Sequence, residues 1–186
     1  MAAEVTWDDV RARIGEELGG ESEGVEPVSE MAIRRVLEAL EFDCPLHYDE
    51  AAAKSVGYKG IIAPRHMMDT FANTARWVPG MSTRWTTNDP DFTIGGIPSG
   101  TPAKEIPTPG THSFVTEIEI EYFEPLYIGD KVIQRGRKLL SVSERETSVG
   151  KGAFTVYESR YYNQRGELLA IARRGGYRYY PHKKSE

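Results

Sequence analysis

Cysteine is almost missing from this chain. Cys44 is the only one, so no disulfide can form within the chain and nothing points to secretion. No Cys/His cluster exists, and no metal is expected. A glycine-rich phosphate loop is also missing, and no cofactor is expected. No run of about 18 apolar residues occurs, so no transmembrane helix is expected. The opening Met1-Ala2-Ala3-Glu4 has neither a basic nor an apolar leader segment, and the expected location is the cytoplasm. Positive charge is not in excess: 23 Lys and Arg stand against 28 Asp and Glu, a net −5. A nucleic-acid partner therefore has no electrostatic support. Repeats and low-complexity tracts are missing too.

What is present suits one soluble globular domain. The 186 residues are 39% hydrophobic and 27% charged, enough to bury a sizeable core. Thr6 can cap a helix with Trp7, Val10, Ile14 and Leu18 on one side, ended by Gly19-Gly20. Residues 21–26 read as a polar linker. This divides the chain into an N-terminal helix and linker, 1–27, and a main domain, 28–186. Ser29 caps a second helix, where Ile33, Val36, Leu37 and Leu40 form a one-sided apolar stripe. Asp49 caps a short helix from Glu50 to Val56, stopped by Gly57. The stretch from Arg65 to Trp77 reads as a helix apolar on several sides, the kind that a sheet wraps. Residues 79–112 hold six Pro and five Gly, which forbids a long regular element; Phe92 to Ile94 is a short strand candidate in it.

From Ser113 the period changes to two. Ile118, Ile120 and Tyr122 alternate with Glu117, Glu119 and Glu121, as in a half-buried antiparallel strand. Three more strands follow, Val132 to Val142, Ala153 to Tyr162 and Leu168 to Tyr180. Ser143 to Gly152 reads as a long polar connection, and Asn163-Gln164-Arg165-Gly166 as a tight hairpin loop. Helices first and then a meander of long strands argue for an α+β fold.

Leu40 to Asp49 gathers His47, Asp43, Asp49 and Pro45 between two helices, the usual layout of a site on a loop. With Ala53, Gly57 and Gly60-Ile61-Ile62-Ala63-Pro64 downstream, the segment Pro45-Leu46-His47-Tyr48-Asp49 resembles the MaoC-like hydratases and dehydratases of the hotdog fold. The chain is most similar to the group named for the N-terminal dehydratase domain. Glu121-Tyr122-Phe123-Glu124-Pro125-Leu126-Tyr127-Ile128-Gly129-Asp130-Lys131-Val132 and the strands ending in Asn163 to Leu168 extend the likeness. The resemblance implies a long central helix wrapped by a curled antiparallel sheet. It implies an acyl-CoA or acyl-carrier-protein thioester as ligand, and a homodimer or a heteromer with a second hotdog subunit. The implied reaction is (R)-specific hydration of a 2-enoyl thioester, or dehydration of the 3-hydroxyacyl thioester. A hotdog thioesterase has less support.

The same resemblance places His47 at the catalytic histidine. In active members an Asp stands five residues earlier, with Asn-Pro between, and His-Gly opens the central helix. Here Phe42 holds the Asp position, Cys44 the Asn position and Pro64-Arg65 the His-Gly position. Asp43, one residue off, is a substitute base or a loop-capping Asp. His47 is a catalytic or substrate-contacting residue, or a structural one. Arg65 and His66 point by analogy to the acyl pocket. Met67 and Phe71 serve the core first and the acyl chain second, and Trp85 and Phe92 are candidates to cover that chain. Arg173, Arg174 and Arg178, with Arg135, Arg137 and Lys138, form either a patch for coenzyme A phosphates or solvated strand faces. Tyr157, Tyr161 and Tyr162 are candidates for a subunit interface. The departures at Phe42 and Pro64 fit a catalytically silent subunit that binds acyl thioester and stabilises an active partner.

Overall fold

The computed structural model describes residues 5–18, 20–75, 77–81 and 106–182. Five antiparallel strands form one sheet in the order β1-β3-β4-β5-β2: β1 is Glu21–Glu23, β2 His112–Tyr122, β3 Val132–Thr147, β4 Gly150–Asn163 and β5 Leu168–Pro181. The helices are α1 (Trp7–Arg11), α2 (Glu30–Leu40), α3 (Glu50–Ser55) and α4 (Met68–Ala72), with 3-10 turns at Pro45–His47 and Arg65–Met67. None is long and apolar enough to cross a membrane among the described residues.

The helix starts follow their caps. The Thr6 hydroxyl accepts from the Asp9 N–H while the Asp9 carboxylate takes the Thr6 N–H, a capping box. Ser29 caps α2, and one Asp49 oxygen accepts from the N–H groups of Ala51 and Ala52. The β4–β5 hairpin turns where expected, with Gly166 at φ +81 and the buried Asn163 amide oxygen accepting from Arg165 and Glu167.

Four sequence expectations are corrected. α1 stops at Arg11, far short of Gly19-Gly20, because Gly15 and Leu18 bond to carbonyls of β3 instead of continuing the helix. The polar stretch after it contains β1, whose three residues pair with β3. Ser143 to Gly152 is no long connection: β3 and β4 stay paired out to Thr147 and Gly150. The central helix ends at Ala72, not Trp77, because Asn73 adopts an extended backbone and its carbonyl accepts from Val25.

The main core lies between this central helix and the concave face of the sheet. Met67, Met68, Phe71 and Ala72 pack with Val28, Ile33 and Leu37 on one side and Val132, Leu169, Ala170 and Ala172 on the other. Ala170 and Ala172 keep β5 low enough for the helix to sit close. Gly24 does the same at the sheet edge, where a β-carbon would stand 1.8 Å from the Phe71 carbonyl oxygen. The Gly24 N–H bonds the Val132 carbonyl, so the edge cannot swing away freely. Gly24→Ala should therefore cost about 2 kcal/mol and lower the melting temperature by roughly 4–8 °C. A thermal melt indistinguishable from the parent's would show that β1 yields and that the contact constrains nothing.

Candidate functional site

His47 sits at the end of the 3-10 turn that Pro45 opens. Its Nδ1 lies 2.7 Å from the Ile62 carbonyl oxygen. A carbonyl only accepts, so Nδ1 carries the proton, and in the neutral ring Nε2 keeps the lone pair. The strap that supplies this carbonyl is itself tied down. Ile62 N–H bonds the Leu46 carbonyl, and Ala63 N–H bonds the Leu126 carbonyl at 2.7 Å. This joins both sequence segments of the likeness, 45–49 and 121–132, at one place.

Phe42, not a carboxylate, is the side chain beside His47: their ring centroids are 5.8 Å apart. Its backbone is fixed at both ends, by Leu37 and by the Tyr48 hydroxyl, which donates to the Phe42 carbonyl at 2.9 Å. Glu41 adopts the left-handed conformation, φ +50, to end α2 there. Asp43 is exposed on the same loop. No hydrogen bond from it to His47 occurs among the described residues. Pro64 opens the central helical segment and has no N–H to offer; the helical ladder begins with Met67 N–H to the Pro64 carbonyl. Arg65 and His66 are exposed, with the Arg65 guanidinium 5.5 Å from the Tyr122 ring centre. Met67 and Phe71 are buried in the core. Trp85 and Phe92, and the short strand expected at 92–94, lie outside the described residues.

One group of side chains was not legible in sequence. Asp69 on α4 accepts with both carboxylate oxygens from one nitrogen, Nη2, of Arg174 on β5, at 2.6 and 2.7 Å, and from the Tyr161 hydroxyl of β4 at 3.1 Å. Arg174 also donates to the Tyr161 oxygen. The cluster clamps the central helix onto the sheet. Burial, with Asp69 opposing Arg174, pushes the Tyr161 hydroxyl up to about 12. Tyr161 is thus core rather than interface, a correction. The neighbouring Tyr157 and Tyr162 rings lie under Arg137 and Arg135. The alternation of Tyr161 with Ser159 and Asn163 could have put it inside; only the three-dimensional pairing shows what it meets. Half of the expected basic patch is ion-paired: Arg173 with Glu119 and Glu158, Arg135 with Glu21, Arg174 with Asp69. These are solvated or bridging faces, and Arg137 stands apart from them.

Beyond the end of α4 a cavity of about 530 Å³ opens on the concave face. Ala72 and Asn73 form its rim, and Gln134, Arg137, Thr155 and Ser159 lie on the sheet beneath. His47, Arg65 and Met67 do not line it.

A family model described as "FAS1-like, dehydratase domain region" matches residues 12–172. The chain belongs to this dehydratase family. The sheet and central helix have the hotdog fold of MaoC-like dehydratases. A "Probable enoyl-CoA hydratase alpha subunit" of Thermomonospora curvata is 29% identical over 187 aligned residues, which take in 100% of this chain and 55% of the relative. The dehydratase-family chain thus spans about half the length of that curated relative. Among solved structures, a chain of the ChsH1-ChsH2 complex from Mycobacterium tuberculosis superposes with a TM-score of 0.64 at 18% identity, over 95% of this chain and 90% of that one. The MaoC-like dehydratase from Rhodospirillum rubrum gives 0.51 at 20% identity, over 89% and 93%. These likenesses speak for the fold.

The Asp69–Arg174–Tyr161 clamp makes the dehydratase domain sensitive to alkali. Unfolded tyrosine ionises near pH 10, and the folded Tyr161 only near 12. The folded pKa is the higher one, so the stabilisation is complete below about pH 10 and is lost as pH rises toward 12, by ~2–3 kcal/mol. Denaturant titrations at about pH 9 and pH 11 should show roughly half of that loss, ~1.3 kcal/mol, in the parent and a smaller drop in Tyr161→Phe. Equal drops in both proteins would remove Tyr161 from the account.

Proposed function

We propose that this domain is one half of a two-chain (R)-specific enoyl-thioester hydratase, binding an acyl-CoA or acyl-carrier-protein thioester while a second hotdog chain brings the complete acid–base pair. Hydration forms a C3–O and a C2–H bond and consumes the C2=C3 π bond. One group takes a proton from water, another gives a proton to C2, and the enolate oxygen formed in between needs an N–H donor. The observation that carries the reading is the neighbour of His47. Where a carboxylate would share the water, the Phe42 ring stands 5.8 Å away, and it can neither accept nor donate a proton. Pro64 supports the same reading, since it withdraws one backbone donor from the start of the central segment. The name of the Thermomonospora relative, an alpha subunit, and the two-chain ChsH1-ChsH2 complex lend weight to a heteromer.

A specific observation favours a second reading, a chain active by itself. The Ile62 carbonyl holds His47 in the tautomer whose Nε2 is a ready base. Asp43, on the same loop, then serves as the partner carboxylate.

Hydration of crotonyl-CoA by the purified chain separates the two. The half-enzyme reading expects no turnover alone. It expects turnover on adding a hotdog partner that carries the full Asp/His set, with His47→Ala changing that activity by no more than about 2-fold. The second reading expects turnover alone, falling about 100-fold or more in His47→Ala, with Asp43→Asn also slower. Brisk hydration by the unpartnered parent would overturn the first reading.

A further inference from the structure

The cavity beyond α4 joins apolar walls, Ala72, Phe114, Val115 and Tyr157, to a polar floor that a plain alkyl guest would leave unused. Strict alternation along β3 would send Arg137 to the same side as Arg135, away from Gln134. A β-bulge changes this. Gly136, at φ +61, is the extra residue between the pairs Arg135↔Arg160 and Arg137↔Ser159. Gln134 faces Tyr161 and Arg137 faces Ser159, so both now stand on the concave side, over successive inward residues of β4. Bulges commonly re-aim a side chain beside a site.

Around Arg137 the floor is polar and largely shut off from solvent. Thr155 is 8% exposed and Ser159 6%. The Gln134 amide donates to the Ser159 hydroxyl at 3.2 Å, and the Arg137 guanidinium lies 4.2 Å from the Tyr157 ring centre. Among the described residues no Asp or Glu lines this cavity or the adjoining one of about 170 Å³, with which it shares Arg137 and Thr155. Three guanidiniums do line them: Arg174 is neutralised by Asp69, Arg178 donates to the Gly110 carbonyl, and Arg137 has no carboxylate partner among the described residues. A hydrocarbon tail here would leave that guanidinium and its hydroxyl neighbours without acceptors, a costly arrangement. A carboxylate would satisfy them, and its plane matches the guanidinium fork.

We infer that the cavity is a subsite for an acyl group that carries a carboxylate at its far end, held by Arg137 with help from Thr155 and Ser159. The inference rests on the thioester-binding reading above and narrows its substrate class. From Arg65, at the start of the central segment, to Ala72, at the cavity rim, the helical rise is roughly 12 Å. The reach corresponds to a medium-length ω-carboxyacyl thioester with its thioester near the helix start.

Isothermal titration of the full chain with suberoyl-CoA, octanoyl-CoA and coenzyme A alone tests this. Suberoyl-CoA should bind about 10-fold tighter than octanoyl-CoA. Arg137→Gln should erase that preference while leaving octanoyl-CoA affinity and the melting temperature in place. Arg137→Lys, which keeps the charge and loses the fork, should retain part of it. Octanoyl-CoA binding as tightly as suberoyl-CoA to the parent would overturn the carboxylate subsite and leave thioester binding standing. Weakened binding of coenzyme A alone in Arg137→Gln would assign the guanidinium to the carrier's phosphates, which also overturns it. Failure of both thioesters to bind would take down the thioester reading and this inference with it.

Discussion

A curled antiparallel sheet has a concave face that must be covered, and among the described residues the central helical segment covers one end of it while α1 and Ile106 pack on Leu139, Val142 and Tyr157. The stretch between these two cores is the distinctive part of the domain. Where Met67, Met68, Phe71 and Ala72 reach, the facing strand residues are Ala170, Ala172, Leu169 and Val132, and the contact is a dry core. Past Ala72 the facing residues bring in Thr155, Ser159, Arg137 and Arg174 beside Phe114, Val115 and Tyr157. A group of polar side chains thus enters the sheet face where the helix ends. Their arrangement fits a face built to meet something other than a continuing helix.

The Asp69–Arg174–Tyr161 clamp stands at that boundary. Its Coulombic part alone is modest, since Asp69 is half-exposed and solvent screens it. Its effect is geometric: α4, β4 and β5 meet in one set of hydrogen bonds, with Tyr161 2% exposed. The neutral tyrosine donates to the carboxylate and accepts from the guanidinium, so each polar atom entering the core edge has a partner. A helix of this length has little stability of its own. The clamp and the Gly24 contact hold it in register against the sheet.

Local chemistry was readable in the sequence; the outcomes of pairing were not. The Ser29 and Asp49 caps and the Asn163 to Gly166 turn depend on a few adjacent residues, and each appears as expected. The likeness carried by His47, Pro45 and the 121–132 segment located the fold and the loop of interest. The end of the central helix was misjudged because apolar periodicity ran on through Ala75 and Trp77, whereas the Asn73 carbonyl is taken by Val25, far away in sequence. β1 was invisible because three polar residues become a strand only through β3. Ile118 was expected half-buried from its alternation, yet it is 58% exposed on the edge strand β2. In register it lies opposite Arg174, whose side chain goes to Asp69, and Ile118 is not part of the core around α4. Arg137 is the plainest case: one bulge residue, Gly136, reverses the side that periodicity assigns to it.

The surroundings of His47 supply part of what a general base needs. The Ile62 carbonyl fixes the tautomer, the turn at Pro45 fixes the ring's place, and the strap at Ala63 fixes the carbonyl. That is the support a general base requires. Among the described residues no second proton-handling side chain is hydrogen-bonded to His47. Phe42 occupies the adjacent place with its main chain held by Leu37 and Tyr48, so the loop cannot simply rotate Asp43 into its position without breaking both bonds. On the half-enzyme reading, such a site orients a thioester or a water while the partner chain passes the protons. In a two-chain enzyme that division is stable: one chain keeps the fold, the strap and the cavity, while the acid–base pair needs to exist only once.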